Sequence, residues 1–235
     1  DTAQQENIKF NDIINAYQQD TYEQLSDTIP LHNAILNMTV NHLPNPVQAQ
    51  QYRIPKIWTG NLDTEIGQAM LNCSDTGPTV MCIAMAQTDP HAGLIATGRL
   101  FSGKTTTGNE VYLVGAKKTY RTQQVSMYMG AQREIVDQIN AGNIAALLGL
   151  ETARPGETLV DSTHKDMMVP FERIRYFSEP VITIAIEPAH PKDLQRLTEA
   201  IQRLIIEDPN LATTVSKETG EYLLSGIGEL HLEIA

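Results

Sequence analysis

Cysteine is nearly absent: Cys73 and Cys82 are the only two among 235 residues. They do not form a Cys-x-x-Cys pair. This excludes a disulfide-built scaffold and a redox dithiol, and both read as buried small hydrophobes in a reducing, cytoplasmic setting. Positive charge is also scarce. Seventeen Lys and Arg face 28 Asp and Glu, a formal net charge of −11. An autonomous DNA binder usually carries a basic face and a high pI, so no DNA partner is expected. No apolar run approaches the roughly 18 residues of a membrane span and no signal-peptide pattern opens the chain, so no membrane partner is expected either.

Catalytic signatures are missing as well. There is no Gly-x-Ser-x-Gly elbow and no His-Glu-x-x-His, and the six histidines are scattered. No catalytic residue and no metal site are therefore expected. Glu207 and Asp208 are paired carboxylates, but they fall at a helix end and read as solvated. The chain begins at Asp1 rather than Met and ends at Ala235 inside a helical pattern, which reads as a piece of a longer protein.

What is present is a folded composition, 41% hydrophobic and 19% charged, with three unlike segments. Residues 1–68 carry net −5, residues 69–177 net 0 and residues 178–235 net −6. The first segment predicts short helices. Ile8, Ile13, Ile14 and Tyr17 mark one, and Leu31, Ala34, Ile35 and Met38 form a stripe predicted to face a core. Pro44 and Pro46 stop that helix, and 47–65 reads mostly as loop.

The middle segment shows short strand runs at Val80–Ala86, Leu94–Phe101, Glu110–Val114, Tyr120–Met129, Ile144–Leu150, Thr158–Val160 and Phe171–Tyr176. Many short strands without long helices between them predict an antiparallel sheet that closes or sandwiches. The third segment reads as strand, helix, strand, strand, helix, with a hairpin around Thr219-Gly220. That is a ferredoxin-like α/β unit cut before its last strand. A helix starting at Gly228 and cut short is expected to leave its apolar residues exposed. The fold class is thus multi-domain α+β: short helices, an antiparallel β-barrel, then a truncated ferredoxin-like domain. The predicted boundaries are 1–43, 44–177 and 178–235.

Two clusters call for chemistry. Gly98, Gly103, Lys104 and Thr105 complete a G-x-x-x-x-G-K-[ST] pattern, the phosphate cradle of P-loop proteins. That chemistry needs a strand before the loop and a helix after it, whose N-terminal N–H groups face the phosphates. Here Gly98 lies inside a strand run, and Thr105-Thr106-Thr107-Gly108-Asn109 leads into another. No Asp-x-x-Gly and no Asn-Lys-x-Asp accompanies the match. The pattern therefore reads as a β-hairpin with a basic tip and a decoy. The other cluster is Lys117-Lys118-Thr119-Tyr120-Arg121, between two strand candidates. Three cations beside an aromatic suit contact with a phosphate backbone, and they equally suit a solvated hairpin loop.

These residues resemble a known family. Ser216-Lys217-Glu218-Thr219-Gly220-Glu221-Tyr222 and Gly226-Ile227-Gly228-Glu229-Leu230-His231-Leu232-Glu233-Ile234 are similar to the third domain of translocase elongation factors. Asp89-Pro90-His91-Ala92-Gly93-Leu94, Gln124-Val125-Ser126-Met127-Tyr128 and Ala141-Gly142-Asn143-Ile144-Ala145 resemble the barrel domain of the archaeal and eukaryotic branch, the elongation factor 2 family. His42-Leu43-Pro44-Asn45-Pro46 resembles the run that follows its GTPase domain. A barrel without long insertions looks archaeal.

The resemblance implies a cytoplasmic, ribosome-bound GTPase that moves tRNA and mRNA. This chain would hold the last helices of the GTPase domain, the barrel and most of the third domain. The guanine-nucleotide motifs would lie upstream, so the fragment itself would hold no cofactor, whereas the parent would take GTP and magnesium. Its partners would be ribosomal RNA and proteins and the GTPase domain of the same chain. The barrel would move as a rigid body with the GTPase domain. Lys117, Lys118, Arg121, Gly228, Glu229 and His231 are the candidate ribosome or inter-domain contacts. Alternatively, Glu229 and His231 occupy the exposed side of a helix whose core side is Leu230 and Ile234. Two competing readings remain: a small P-loop enzyme using Lys104, and a generic barrel plus ferredoxin-like regulatory module that binds a small ligand.

Overall fold

The computed structural model describes residues 8–89, 91–172, 180–216 and 220–235. It divides into two units, Asp1–Asn45 and Pro46–Ala235. Among its described residues the first holds the short helices α1 (Phe10–Gln18), α2 (Tyr22–Thr28) and α3 (Leu31–His42). The Asp12 carboxylate accepts from the Lys9 N–H at 2.9 Å, which fixes the start of α1. The rings of Tyr17 and Tyr22 stack with centroids 5.9 Å apart and join α1 to α2. The stripe on α3 is a correction to the sequence reading: Leu31, Ile35 and Met38 are 74%, 49% and 54% exposed. Helical periodicity reports that a face is apolar; burial needs a second apolar face of matching extent, and α3 has no buried residue.

The second unit opens with two helices that the sequence reading had mostly missed, α4 (Pro46–Ile57) and α5 (Glu65–Leu71). Pro46 occupies the first position of α4, where its missing N–H costs nothing. The buried side of α4 is Gln50 and Ile54. A polar residue in that stripe hides the helix from a hydrophobic-periodicity reading. Gln50 is buried because its Nε2 donates to two carbonyls, Met70 O and, at 2.8 Å, Phe101 O.

Ten strands follow: β1 (Val80–Asp89), β2 (Gly93–Ser102), β3 (Lys104–Thr106), β4 (Glu110–Leu113), β5 (Lys118–Arg121), β6 (Gln124–Met129), β7 (Gln132–Ile135), β8 (Gln138–Asn140), β9 (Ile144–Leu148) and β10 (Thr158–Asp161). Eight form one antiparallel sheet in the order β5-β4-β10-β1-β2-β9-β6-β7, and β3 pairs with β8. The predicted single strand over Tyr120–Met129 is bent at Thr122-Gln123. Its first half pairs with β4 and its second with β9. Hydrogen bonds from Gly108 N–H to Thr122 O and from Gln123 N–H to Leu148 O carry the pairing through the bend. One bent segment thus runs from β5, at one end of the sheet, to β6, beside β7 at the other, and wraps the sheet into a barrel that leaves β5 and β7 as its terminal strands.

The strand run predicted over Phe171–Tyr176 is not a strand at Phe171-Glu172, and Arg173–Tyr176 lie outside the described residues. Inside the barrel, Met81, Ile83, Leu100, Leu113, Val125, Leu147 and Leu159 make one core. A second core lies outside the barrel wall. There Ile54, Trp58, Ile66 and Met70 of the helical segment meet Val80, Phe101, Val160 and Phe171. Trp58 Nε1–H donates to Val169 O at 2.6 Å and ties the 168–171 segment to the end of α4. Cys73 and Cys82 are free and only half-buried.

The last stretch holds β11 (Ile182–Ile186), α6 (Leu194–Glu207), β12 (Ala212–Val215), β13 (Tyr222–Gly226) and α7 (Glu229–Ile234). The three strands form an antiparallel sheet in the order β11-β13-β12. This supplies the first five elements of a ferredoxin-like unit, in that unit's spatial order. Its core is small: Leu211, Leu224 and Leu232, with Ile186 and Leu204 packed against them.

Candidate functional site

The P-loop-like residues sit in a β context. Gly98 lies within β2, and a Cβ there would meet Cys82 O at 2.0 Å, so glycine is required by the close approach of β1. Gly103 has φ +72°, in the left-handed region, and a Cβ on it would meet Thr79 Cα at 2.6 Å. Its N–H donates to Ser74 O and its carbonyl accepts from Ala141 N–H. Both glycines thus have reasons internal to the barrel. Lys104 is exposed, yet it opens β3, which pairs with β8 and not with β2. The expected hairpin with Lys104 at its tip is therefore corrected: the chain kinks at Gly103 and changes partner. Thr105 is buried, at 1% exposure, where a P-loop would aim its hydroxyl at a phosphate-bound cation. No helix follows; β4 does.

The basic cluster is not a loop between strands. Lys118–Arg121 is β5 itself, and Lys117 closes the β4–β5 turn with φ +53°. Strand alternation splits the cluster. Tyr120 turns inward, packs on the barrel core and shares a hydrogen bond with Thr152 Oγ1 at 2.7 Å, so its ring is not free to stack on a base. Lys118 shares that side of the strand, at its open end. Arg121 lies on the opposite side, across from Glu110, and its Nε donates to Gly108 O at 3.0 Å. Lys117, Lys118 and Arg121 are all exposed.

The hairpin borders a cavity of about 620 Å³ lined by Gly115, Ala116, Arg154, Pro155 and Phe171 among others. Glu157 shapes it by accepting from Gly115 N–H at 2.6 Å. Arg154 is an exposed fourth cation here that sequence reasoning missed; it stands alone between Ala153 and Pro155, with no basic neighbour to flag it.

At the other candidate surface, Gly228 precedes α7 with φ −179°, extended backbone that any residue adopts. Nothing lies within 4 Å of a Cβ built there, so no packing inside the chain demands glycine. Glu229 is exposed. The alternative reading of α7 fails at its core side: Leu230 and Ile234 are 68% and 78% exposed, whereas Leu232 is buried. His231 is not on the open side. Its Nε2 bonds Asp208 Oδ2 at 2.7 Å, and its Nδ1 accepts from Ile227 N–H at 3.2 Å. An acceptor Nδ1 makes His231 the Nε2–H tautomer, so Nε2 is the donor to Asp208.

Asp208 is correspondingly not a free surface carboxylate. Partial burial pushes its pKa up, but the Asn210 N–H, His231 and the Asn210 side-chain amide outweigh that and hold it below the usual carboxylate range. Asp161 shows the same balance. Burial raises it, while hydrogen bonds from Thr163, His164 and Thr79 N–H bring it below its ordinary value. Among the described residues, no helix is long and apolar enough to cross a membrane.

Comparison with known proteins agrees with this architecture. The model of elongation factor Tu domain 2 matches residues 93–160. That of elongation factor G domain III matches residues 177–235. Elongation factor 2 of Staphylothermus marinus is 54% identical over 99% of this chain, which covers 32% of that relative. Elongation factor 2 of Ignicoccus hospitalis is also 54% identical, and that of Sulfurisphaera tokodaii 52%, with the same two coverages. The chain thus spans about a third of the length of the curated relatives it matches. With identity above one half along almost its whole length and two matched domains in order, the chain belongs to the elongation factor 2 family.

Proposed function

We propose that this chain is a non-catalytic portion of a ribosomal translocase, the cytoplasmic GTPase that couples GTP hydrolysis to movement of tRNA and mRNA. The observation that carries the reading is 54% identity over 99% of the chain to proteins named elongation factor 2. In this reading, residues 1–43 are the last helices of the GTPase domain, 44–177 the barrel domain and 178–235 the third domain. GTP and magnesium belong to the parent protein and to neither of the two later domains. The geometry around Lys104 supports that assignment, because a strand replaces the helix whose N–H groups would cradle phosphates.

The partners in this reading are the ribosome and the GTPase domain of the same protein. Lys117, Lys118 and Arg121 line an open strand edge suited to local contact with a phosphate backbone, and Arg154 extends the positive field. Gly228 and Glu229 form the second surface. A glycine that the chain's own packing does not require suits close approach by another backbone or by RNA. His231 contributes there by fixing the turn rather than by touching the partner.

The test is calorimetry of the chain with GTP and with ATP, each with magnesium. No micromolar binding is expected. Micromolar binding abolished by Lys104→Ala would overturn the reading in favour of a P-loop enzyme. In the full-length protein, hydrogen exchange over 226–234 is expected to slow on ribosome binding, and unchanged exchange would remove that surface from the interface.

A further inference from the structure

Glu207 and Asp208, adjacent at the end of α6, face in two directions. Glu207 Oε1 accepts from Thr88 N–H of β1 at 2.7 Å. That amide has no partner strand on its side. β10 pairs with β1 only over Val80–Cys82, so the far half of β1 presents an open edge. A carboxylate at the end of α6 therefore takes the place of a strand, with a charge-assisted bond to a backbone donor. Asp208 turns the other way. Its Oδ1 accepts from Asn210 N–H at 2.8 Å, and its Oδ2 accepts from His231 Nε2–H.

The His231 ring then reaches the turn before α7. Nδ1 accepts from Ile227 N–H, and a Cβ on Gly226 would meet that same nitrogen at 2.9 Å. The ring therefore lies directly against the 226–228 backbone. From the barrel edge to the α7 turn there is one unbroken series: Thr88, Glu207, Asp208, His231, Ile227. Only one peptide link separates the two carboxylates.

We propose that the Glu207-Asp208 junction couples docking of the third domain on the barrel to the conformation of the 226–229 turn. Release of Thr88 frees the last turn of α6 to rotate. Rotation withdraws Asp208 from His231, and His231 then no longer holds the Ile227 amide. The coupling runs equally in reverse, because linkage between two sites is reciprocal. The inference stands apart from any ribosomal role and needs no other domain.

Amide hydrogen exchange on the chain, read at Thr88 and Ile227, tests it. Glu207→Ala is expected to speed exchange at Thr88 and also, by about five-fold or more, at Ile227. His231→Ala is expected to do the same at Ile227 and, reciprocally, at Thr88. Glu207→Gln and His231→Gln, which keep a hydrogen-bonding group, are expected to give smaller changes at the same two amides. Protection of the Leu224 amide, in the centre of the third-domain sheet, reports whether each variant stays folded. Faster exchange confined to each variant's own partner amide would overturn the proposal. So would loss of Leu224 protection in both His231 variants, which would make His231 a residue of general stability.

Discussion

At Gly98 one methyl group separates two accounts of residues 98–105. In a phosphate cradle, Lys104 is the indispensable residue and Gly98 serves the loop. In the barrel, Gly98 is indispensable because a Cβ there would sit 2.0 Å from Cys82 O, a backbone atom that cannot swing aside. Gly98→Ala is therefore expected to destabilise the barrel by about 1–3 kcal/mol or more, as overpacked sites do. Lys104→Ala is expected to stay within about 0.5 kcal/mol, as exposed substitutions do. Urea unfolding followed by the single tryptophan, Trp58, measures both, and a ranking with Lys104 first would refute the barrel account.

Asp161 gives a second residue-scale expectation. It caps the turn at Ser162–His164 and accepts from Thr79 N–H at 2.8 Å. His164 Nδ1 faces it at 2.6 Å, with Glu65 behind at 3.9 Å from Nε2. Its folded pKa lies below the ordinary value, so its stabilising contribution is present above about pH 4. The contribution is lost as pH falls through the lower folded value. The stability gap between the parent chain and Asp161→Asn is thus expected to shrink on acidification below pH 4, measured by denaturant midpoints at stepped pH. A constant gap would contradict the assigned hydrogen bonds.

At the scale of elements, two helices invert their sequence appearance. α3 carries a regular apolar stripe that is exposed, and α4 carries an interrupted stripe that is buried. Periodicity made α3 legible as a helix but said nothing of what it meets. Gln50 concealed α4, because its value as a core residue depends on carbonyls at Met70 and Phe101, remote in sequence. Ile54→Ala is accordingly expected to cost about 2–5 kcal/mol. Leu31→Ala, at 74% exposure, is expected to cost less than about 0.5 kcal/mol. Thermal or urea unfolding of the two variants checks the contrast, and equal costs would contradict it.

Strands β1, β2, β4, β9 and β10 were legible because each carries an apolar run punctuated by turns, whereas β3, β7 and β8 were not, being three or four largely polar residues each. The bend at Thr122-Gln123 was not, since both halves read as one alternating run and only the two different partners expose the break. The site residues fared similarly. Lys117, Lys118 and Arg121 were visible as a charge run, but their division between two sides of β5 follows from pairing with β4. His231 was visible as a motif residue, whereas its bond to Asp208 joins segments 23 residues apart.

Over the whole molecule, charge organises what the chain can touch. A formal net charge of −11 opposes any binding of nucleic acid driven by the chain's overall field. The neutral middle segment, residues 69–177, is the part where local cations escape that field, and β5 concentrates them on an exposed edge. If those cations meet ribosomal RNA, each phosphate contact releases counterions and adds to the salt dependence of binding, at about 0.7–0.9 of a logarithmic unit per contact. Replacing Lys117, Lys118 and Arg121 together by Glu in the full-length factor is therefore expected to weaken ribosome binding most at low salt. The slope of log affinity against log salt is expected to fall by about two. Arg121 should contribute less than the lysines, because its Nε is already held by Gly108 O. Co-sedimentation with ribosomes across a salt series reads both quantities. A slope unchanged by the triple replacement would place the RNA contact elsewhere on the factor and leave β5 as an ordinary solvated edge, kept from pairing with other strands by its own charge.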